Sequence, residues 1–190
     1  MVSSVALYLG FLALLYGERG VELLVSRRNL RLALAAGGVE TGRRHYAVMV
    51  GVHAVFPLAC AAEVLGLRRA FPGAAGFAAL AVALGAQGLR WWSAAALGRR
   101  WNTRIVTVPG AEPVRSGPYR YLRHPNYLAV MLEAASVPLI HGAWITAVVF
   151  VAANAALLAV RIPAEERALG DAWARAFAPR RPRPGGAHRA

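Results

Sequence analysis

The chain has 190 residues, a length that suits one domain. Apolar residues make up 57% of it, the mean hydropathy is +0.43, and the formal net charge is +13, carried by Arg with no Lys. Few soluble domains of this size could hide so much apolar surface, and the arginines sit between apolar runs and in the C-terminal tail. Composition therefore points to a membrane-anchored protein and away from nucleic-acid binding. A single cysteine, Cys60, excludes an intrachain disulfide.

The first apolar run is Val5 to Tyr16. It is short for a crossing, which takes roughly 20 residues, but Val21, Leu23 and Leu24 resume the pattern, so the first helix is expected to run on to Val25. No basic leader or small-residue cleavage site precedes it, which favours an uncleaved helix over a signal peptide. Ser26 to Arg44 is polar and is broken by Gly37-Gly38. Tyr46 to Leu67 and Ala74 to Leu97 read as a second and a third span, separated by a Phe71-Pro72-Gly73 turn. Gly98 to Asn126 carries six arginines and the prolines Pro109, Pro113, Pro118 and Pro125, which exclude a continuous helix. Tyr127 to Ile140 and Ala143 to Val160 then form a tight helical hairpin across His141-Gly142. A short amphipathic helix is expected over Ala164 to Phe177.

These segments describe an all-α integral membrane protein of about five transmembrane helices. One domain covers residues 1–178: three helices over 1–98, then a loop, the hairpin and the short helix over 99–178. A disordered basic tail follows over 179–190. Placing the N-terminus outside and the C-terminus in the cytoplasm leaves only Arg68 and Arg69 among the loop arginines on the outer face.

Ionisable groups inside a membrane are costly and mark sites to inspect: Glu18, Arg19, Glu22, His53, Glu63, Arg90 and Glu133. Glu18, Arg19 and Glu22 read as a mutually paired group. His53 reads as a helix-packing hydrogen bonder, because no second His or Cys stands at metal-ligand spacing and no metal site is expected. Glu133 reads equally as a group facing a cavity and as a partner for Arg90.

The segment Ser116 to Tyr127 is the most informative. Gly117-Pro118 makes a turn, and Pro125 suits the first turn of the next helix, where its missing N–H costs nothing. That helix start, beside Arg123 and His124, offers free donors and positive potential to an anion, although a basic aromatic loop at a membrane interface would look the same. Glu165-Glu166 follows the last span. The pair could complement the helix dipole, or Glu165 could pair with Arg161 one turn earlier, a contact that Pro163 weakens. The hairpin brings the chain back to its starting face, so the two clusters become neighbours. Together they complement the carboxylate, ammonium and sulfonium of S-adenosylmethionine.

The motif Arg123-His124-Pro125-Asn126-Tyr127, with Arg161-Ile162-Pro163-Ala164-Glu165-Glu166 after the hairpin, resembles the isoprenylcysteine carboxyl methyltransferase family. Glu22 to Asn29 and His45-Tyr46 look like a bacterial branch associated with polyketide synthases, whose members methylate alkylpyrones or alkylresorcinols. The resemblance implies an S-adenosylmethionine pocket at the cytoplasmic face of the bacterial inner membrane, built from the loop before the fourth helix, the hairpin and the tail. It implies cofactor binding by Tyr119, Leu122, Arg123, His124, Pro125, Tyr127, Glu165 and Glu166. Glu133, Asn154 and Arg161 are the catalytic candidates, and Trp92, Trp101 and Asn102 the substrate candidates. The implied activity is O-methylation of a lipid-like substrate by direct attack of an oxygen on the methyl group. No glycine-rich GxGxxG turn or strand alternation exists to support a soluble dinucleotide-type methyltransferase fold. A phospholipid N-methyltransferase is the nearest competing reading. A non-catalytic scaffold or a small transporter lies further off, the latter because repeated halves with broken helices are missing.

Overall fold

The computed structural model describes residues 3–177. Five helices account for most of them: α1 (Ser4–Ala35), α2 (Arg43–Gly66), α3 (Ala74–Leu97), α4 (Pro125–Leu139) and α5 (Trp144–Ala176). Ser3 caps α1 by accepting from the Ala6 amide at 3.2 Å. Pro125 occupies the first turn of α4 as the sequence requires. His141-Gly142 closes the α4–α5 hairpin, with Gly142 at φ 72°. The tail 179–190 lies outside the described residues.

Three expectations need correction. The segment after Val25 does not leave the helix, because α1 continues to Ala35 and breaks only where Gly37 adopts φ 78°. Ser26 and Asn29, on the face of this extension that meets the loop after α3, are buried there. Secondly, the fold is not purely helical. β1 (Val39–Thr41) pairs antiparallel with β2 (Ile105–Thr107), in the register Glu40 opposite Val106. This ribbon joins the two basic loops, and the Glu40 carboxylate receives Arg104 Nη1 at 2.5 Å. Thirdly, the break before the C-terminal helix falls at Gly170 and not near Pro163. α5 runs through Pro163, and Gly170, at φ 67° and ψ −162°, divides it into two helical pieces.

Two stretches are long and apolar enough to cross a membrane: His45–Gly66 within α2, and α5. The others fall short for visible reasons. α1 contains Glu18, Arg19 and Glu22, α3 contains Gln87 and Arg90, and α4 has 15 residues. The outer faces are nonetheless apolar along the bundle, with Leu14, Leu24, Leu58, Phe77, Leu84 and Val148 all more than half exposed. So much exposed hydrocarbon is what a bilayer-facing surface presents.

α3 packs along α4, α4 against α5, and α2 against α5. A tight core of Tyr8, Leu12, Cys60, Val64, Ala83, Val137 and Ile140 fills the end of the bundle next to the hairpin turn. There Tyr8 donates to the Val137 carbonyl at 3.1 Å, and Glu63 caps the start of α5 by accepting from Thr146 N and Thr146 Oγ1, each at 2.7 Å. The opposite end, under the loops, is open.

Candidate active site

The open end holds a cavity of about 1060 Å³, at the upper limit for small-molecule sites. Its roof is the segment Trp101 to Val108, held down by α1. Asn29 donates to the Trp101 carbonyl at 2.7 Å, and the Ser26 hydroxyl accepts from the Thr103 amide at 3.0 Å. Neither bond could form if α1 ended at Val25, so the helical extension builds the roof.

Tyr127, at the start of α4, links the two motifs. Its hydroxyl donates to Glu165 Oε2 and accepts from Arg161 Nε at 2.9 Å. Arg161 Nη2 donates to the Thr103 carbonyl at 2.6 Å. Arg161 is only 6% exposed and lines the cavity, yet its Nη1 has no hydrogen-bond partner among the described residues and the other two nitrogens meet neutral oxygens. A buried guanidinium without a carboxylate is costly unless something anionic reaches it. Asn126 Oδ1, also at the cavity wall, is a buried acceptor without a partner among the described residues. One unmet donor and one unmet acceptor therefore remain on this wall.

Beside them His124 Nε2 lies 3.0 Å from Glu166 Oε1, and its ring stacks on Tyr127 and tilts against Trp173. Arg123 donates to the Phe177 carbonyl at 2.8 Å and lies over the Trp173 ring, tying the mouth of the cavity to the end of α5. Burial, and then the Glu165 carboxylate, push the Tyr119 phenol above its ordinary range, so it stays a neutral donor.

The inner wall is an ion network between α1, α3 and α4. Arg19 donates to Glu22 at 2.7 Å, to Gln87 at 3.0 Å and to Glu133 at 2.8 Å. Arg90 grips Glu22 with two bonds of 2.6 Å. The partner of Arg90 is thus Glu22 and not Glu133, because α1 inserts its carboxylate between α3 and α4.

Of the residues singled out in the sequence, Tyr119, Arg123, His124, Tyr127 and Glu165 line the large cavity, together with Trp101, Asn102, Asn154 and Arg161. Glu166 reaches it through His124. Pro125 is buried in the first turn of α4, and Leu122 is 38% exposed outside the lining. Trp92 is 51% exposed and packs against the Gly117 turn, where a Cβ would meet Ala96 Cβ at 2.9 Å and the indole nitrogen at 3.1 Å. Glu133 borders a small alcove behind the cavity. Thr103, Asn126 and Trp173 were not foreseen. Asn126 stood inside the motif, and only its orphaned oxygen singles it out.

Residues 79–171 match the family described as "Isoprenylcysteine carboxyl methyltransferase (ICMT) family". The chain is 40% identical over 160 residues to "Uncharacterized protein YpbQ" of Bacillus subtilis (strain 168), covering 84% of this chain and 95% of that one. An "Uncharacterized protein" of Haemophilus influenzae (strain ATCC 51907 / DSM 11121 / KW20 / Rd) is 28% identical over 152 residues, covering 80% and 88%. No solved structure matches.

Proposed function

Because the chain belongs to the isoprenylcysteine carboxyl methyltransferase family, we propose that it is an S-adenosylmethionine-dependent O-methyltransferase. Its substrate is lipophilic, an alkylpyrone or alkylresorcinol hydroxyl or an isoprenylcysteine carboxylate. The observation that carries the reading is Arg161, a buried guanidinium in the wall of a large cavity with no carboxylate neutralising it among the described residues.

The donor set fits the cofactor. Tyr119, Arg123, His124, Glu165 and, through His124, Glu166 place both signs of charge at the mouth, as a zwitterionic amino acid with an adjacent cation requires. Asn126 Oδ1 adds an acceptor suited to an ammonium. When bound, S-adenosylmethionine supplies an activated methyl group. The protein's own part is orientation: Tyr127 fixes Arg161 and Glu165 relative to each other, and the Arg161 guanidinium in the cavity wall attracts the anionic oxygen of the substrate head. A carboxylate or acidic enol arrives ionised, so Arg161 holds it without a strong base. A resorcinol hydroxyl arrives protonated, and its proton passes to a carboxylate at the cavity such as Glu165.

The apolar exterior supports five membrane segments in the bacterial inner membrane, with the N-terminus outside and this pocket at the cytoplasmic face. The substrate tail then stays in the bilayer, where each buried CH₂ contributes about 0.8 kcal/mol.

The test is methyl transfer from radiolabelled S-adenosylmethionine in nanodiscs. Long-chain alkylpyrone, alkylresorcinol, prenylated cysteine and phosphatidylethanolamine are compared at matched concentration. O-methylated lipid is the expected product, and preference for phosphatidylethanolamine would overturn the oxygen assignment. Glu165→Gln and Glu166→Gln should weaken cofactor binding by about ten- to a hundredfold in calorimetry, the value of a lost charge-assisted contact. Unchanged affinity in both would refute the site.

A further inference from the structure

Two segments that precede the family-matched span 79–171 send side chains to one point of the roof. Ser26 comes from α1 and Tyr46 from the first turn of α2, and both meet Thr103. Thr103 and Arg161 lie within the matched span.

The direction of each bond follows from its partners. The Ser26 hydroxyl donates its one proton to Asn102 Oδ1 at 2.8 Å. It can then only accept in its 2.8 Å contact with Thr103 Oγ1, so the Thr103 hydroxyl donates there. With that proton spent, Thr103 Oγ1 accepts from the Tyr46 hydroxyl at 3.2 Å. The chain Tyr46 to Thr103 to Ser26 to Asn102 thus runs one way. Two backbone amides join it: Thr103 N donates to Ser26 Oγ and Arg104 N to Asn102 Oδ1, each at 3.0 Å. The Tyr46 ring also carries the Arg104 guanidinium at 4.2 Å, and Arg104 is paired with Glu40 of β1 at 2.5 Å.

The bond to Arg104 N bears on the cavity. The Arg104 N–H and the Thr103 carbonyl belong to one planar peptide unit, so holding the N–H aims the carbonyl. That carbonyl accepts from Arg161 Nη2 at 2.6 Å, while Arg161 Nε donates to the Tyr127 hydroxyl at 2.9 Å. Two anchors fix the plane of a rigid guanidinium. Tyr127 ties it to α4 and to Glu165, and the Thr103 carbonyl ties it to α1 and α2.

Resting on the methyltransferase reading, we propose that Ser26 and Thr103 are positioning residues for the Arg161 guanidinium. The hydroxyl pair sets the direction of the Thr103 carbonyl, and the carbonyl sets the guanidinium. The guanidinium in turn aligns the oxygen of the lipid head with the methyl group. Cofactor contacts lie on the α4 side and most of the lipid affinity lies in the tail, so losing this alignment lowers turnover and leaves both affinities in place.

The test removes the hydroxyl at constant shape with Thr103→Val and restores it with Thr103→Ser. Methyl transfer from radiolabelled S-adenosylmethionine is followed in nanodiscs, with the lipid of the panel above that the wild-type protein methylates fastest. Rates are taken per cofactor-binding site counted by calorimetry, so unfolded protein drops out. Thr103→Val and Ser26→Ala should lower kcat by about tenfold or more, since a misplacement of about 1 Å can cost a hundredfold. Lipid KM and cofactor affinity should stay within about twofold, and Thr103→Ser should keep a near wild-type kcat. Tyr46→Phe removes only the 3.2 Å bond and should lower kcat by about two- to threefold, which serves if Thr103→Val does not fold. An unchanged kcat in folded Thr103→Val, or in Tyr46→Phe if the former does not fold, would overturn the proposal. So would an equal loss in Thr103→Ser, or a loss of cofactor affinity in step with kcat, which is what general packing of the roof would produce. These outcomes leave the methyltransferase reading intact. Failure of the unaltered protein to bind S-adenosylmethionine or to methylate any lipid would overturn that reading, and the positioning role with it.

Discussion

Replacing Tyr127 by Phe removes one oxygen and leaves the ring that stacks on His124. That oxygen joins Arg161 to Glu165. Each bond involves a charged group, a class worth about 1.5–3 kcal/mol. The two losses differ. Glu165 borders the cavity and can take a water in place of the phenol. Arg161 also lines the cavity but is only 6% exposed, and its Nη1 has no partner among the described residues, so a second orphaned N–H beside it is harder to satisfy. The expected net destabilisation is therefore that of a single charged contact, about 1.5–3 kcal/mol, or roughly 3–12 °C in melting temperature at this chain length. Cofactor affinity should fall about tenfold, because Arg161 and Glu165 lose their common orientation. The assay is thermal unfolding of the purified protein in detergent, with and without S-adenosylmethionine, alongside calorimetry. Tyr121→Phe is the control, since that tyrosine is 74% exposed. If Tyr127→Phe melts and binds like the control, Tyr127 does not organise the site and the reasoning fails.

Glu63→Ala should destabilise the fold by about 1–3 kcal/mol, because the Thr146 donors at the start of α5 and the Arg69 guanidinium lose their acceptor. Cofactor affinity should stay unchanged, since Glu63 lies at the packed end of the bundle, and a drop in affinity without a drop in melting temperature would contradict that division of labour. Reporter fusions after Leu67 and after Ala190 should give an external and a cytoplasmic signal respectively. The reverse pair would invert the orientation and place the pocket on the other face.

Hydropathy and proline placement located the helices without any tertiary information. Apolar run length requires α2 and the membrane part of α5, and two polar residues suffice to turn the α4–α5 hairpin. The hairpin in turn makes neighbours of Tyr127 and Glu165, so a local pattern carried a non-local contact. Strand pairing between Val39–Thr41 and Ile105–Thr107 was not legible. Three-residue strands carry too little periodicity to read, and their partner lies two helices away in the chain. The length of α1 was missed for a related reason. Ser26 to Arg31 is polar, and polarity suggested a loop, whereas Ser26 and Asn29 are helical residues whose side chains bind the loop that roofs the cavity.

The sequence by itself determined which charges enter the bundle, since a carboxylate or guanidinium within an apolar run is conspicuous. Only the tertiary structure decided how they pair. Glu22 meets Arg90, Glu133 meets Arg19, and Arg161 is left with an open nitrogen. The physical reason is that hydropathy depends on one helix at a time, whereas the pairing of a buried charge depends on which side chains three or four helices bring within 3 Å. No pattern along the chain specifies that distance.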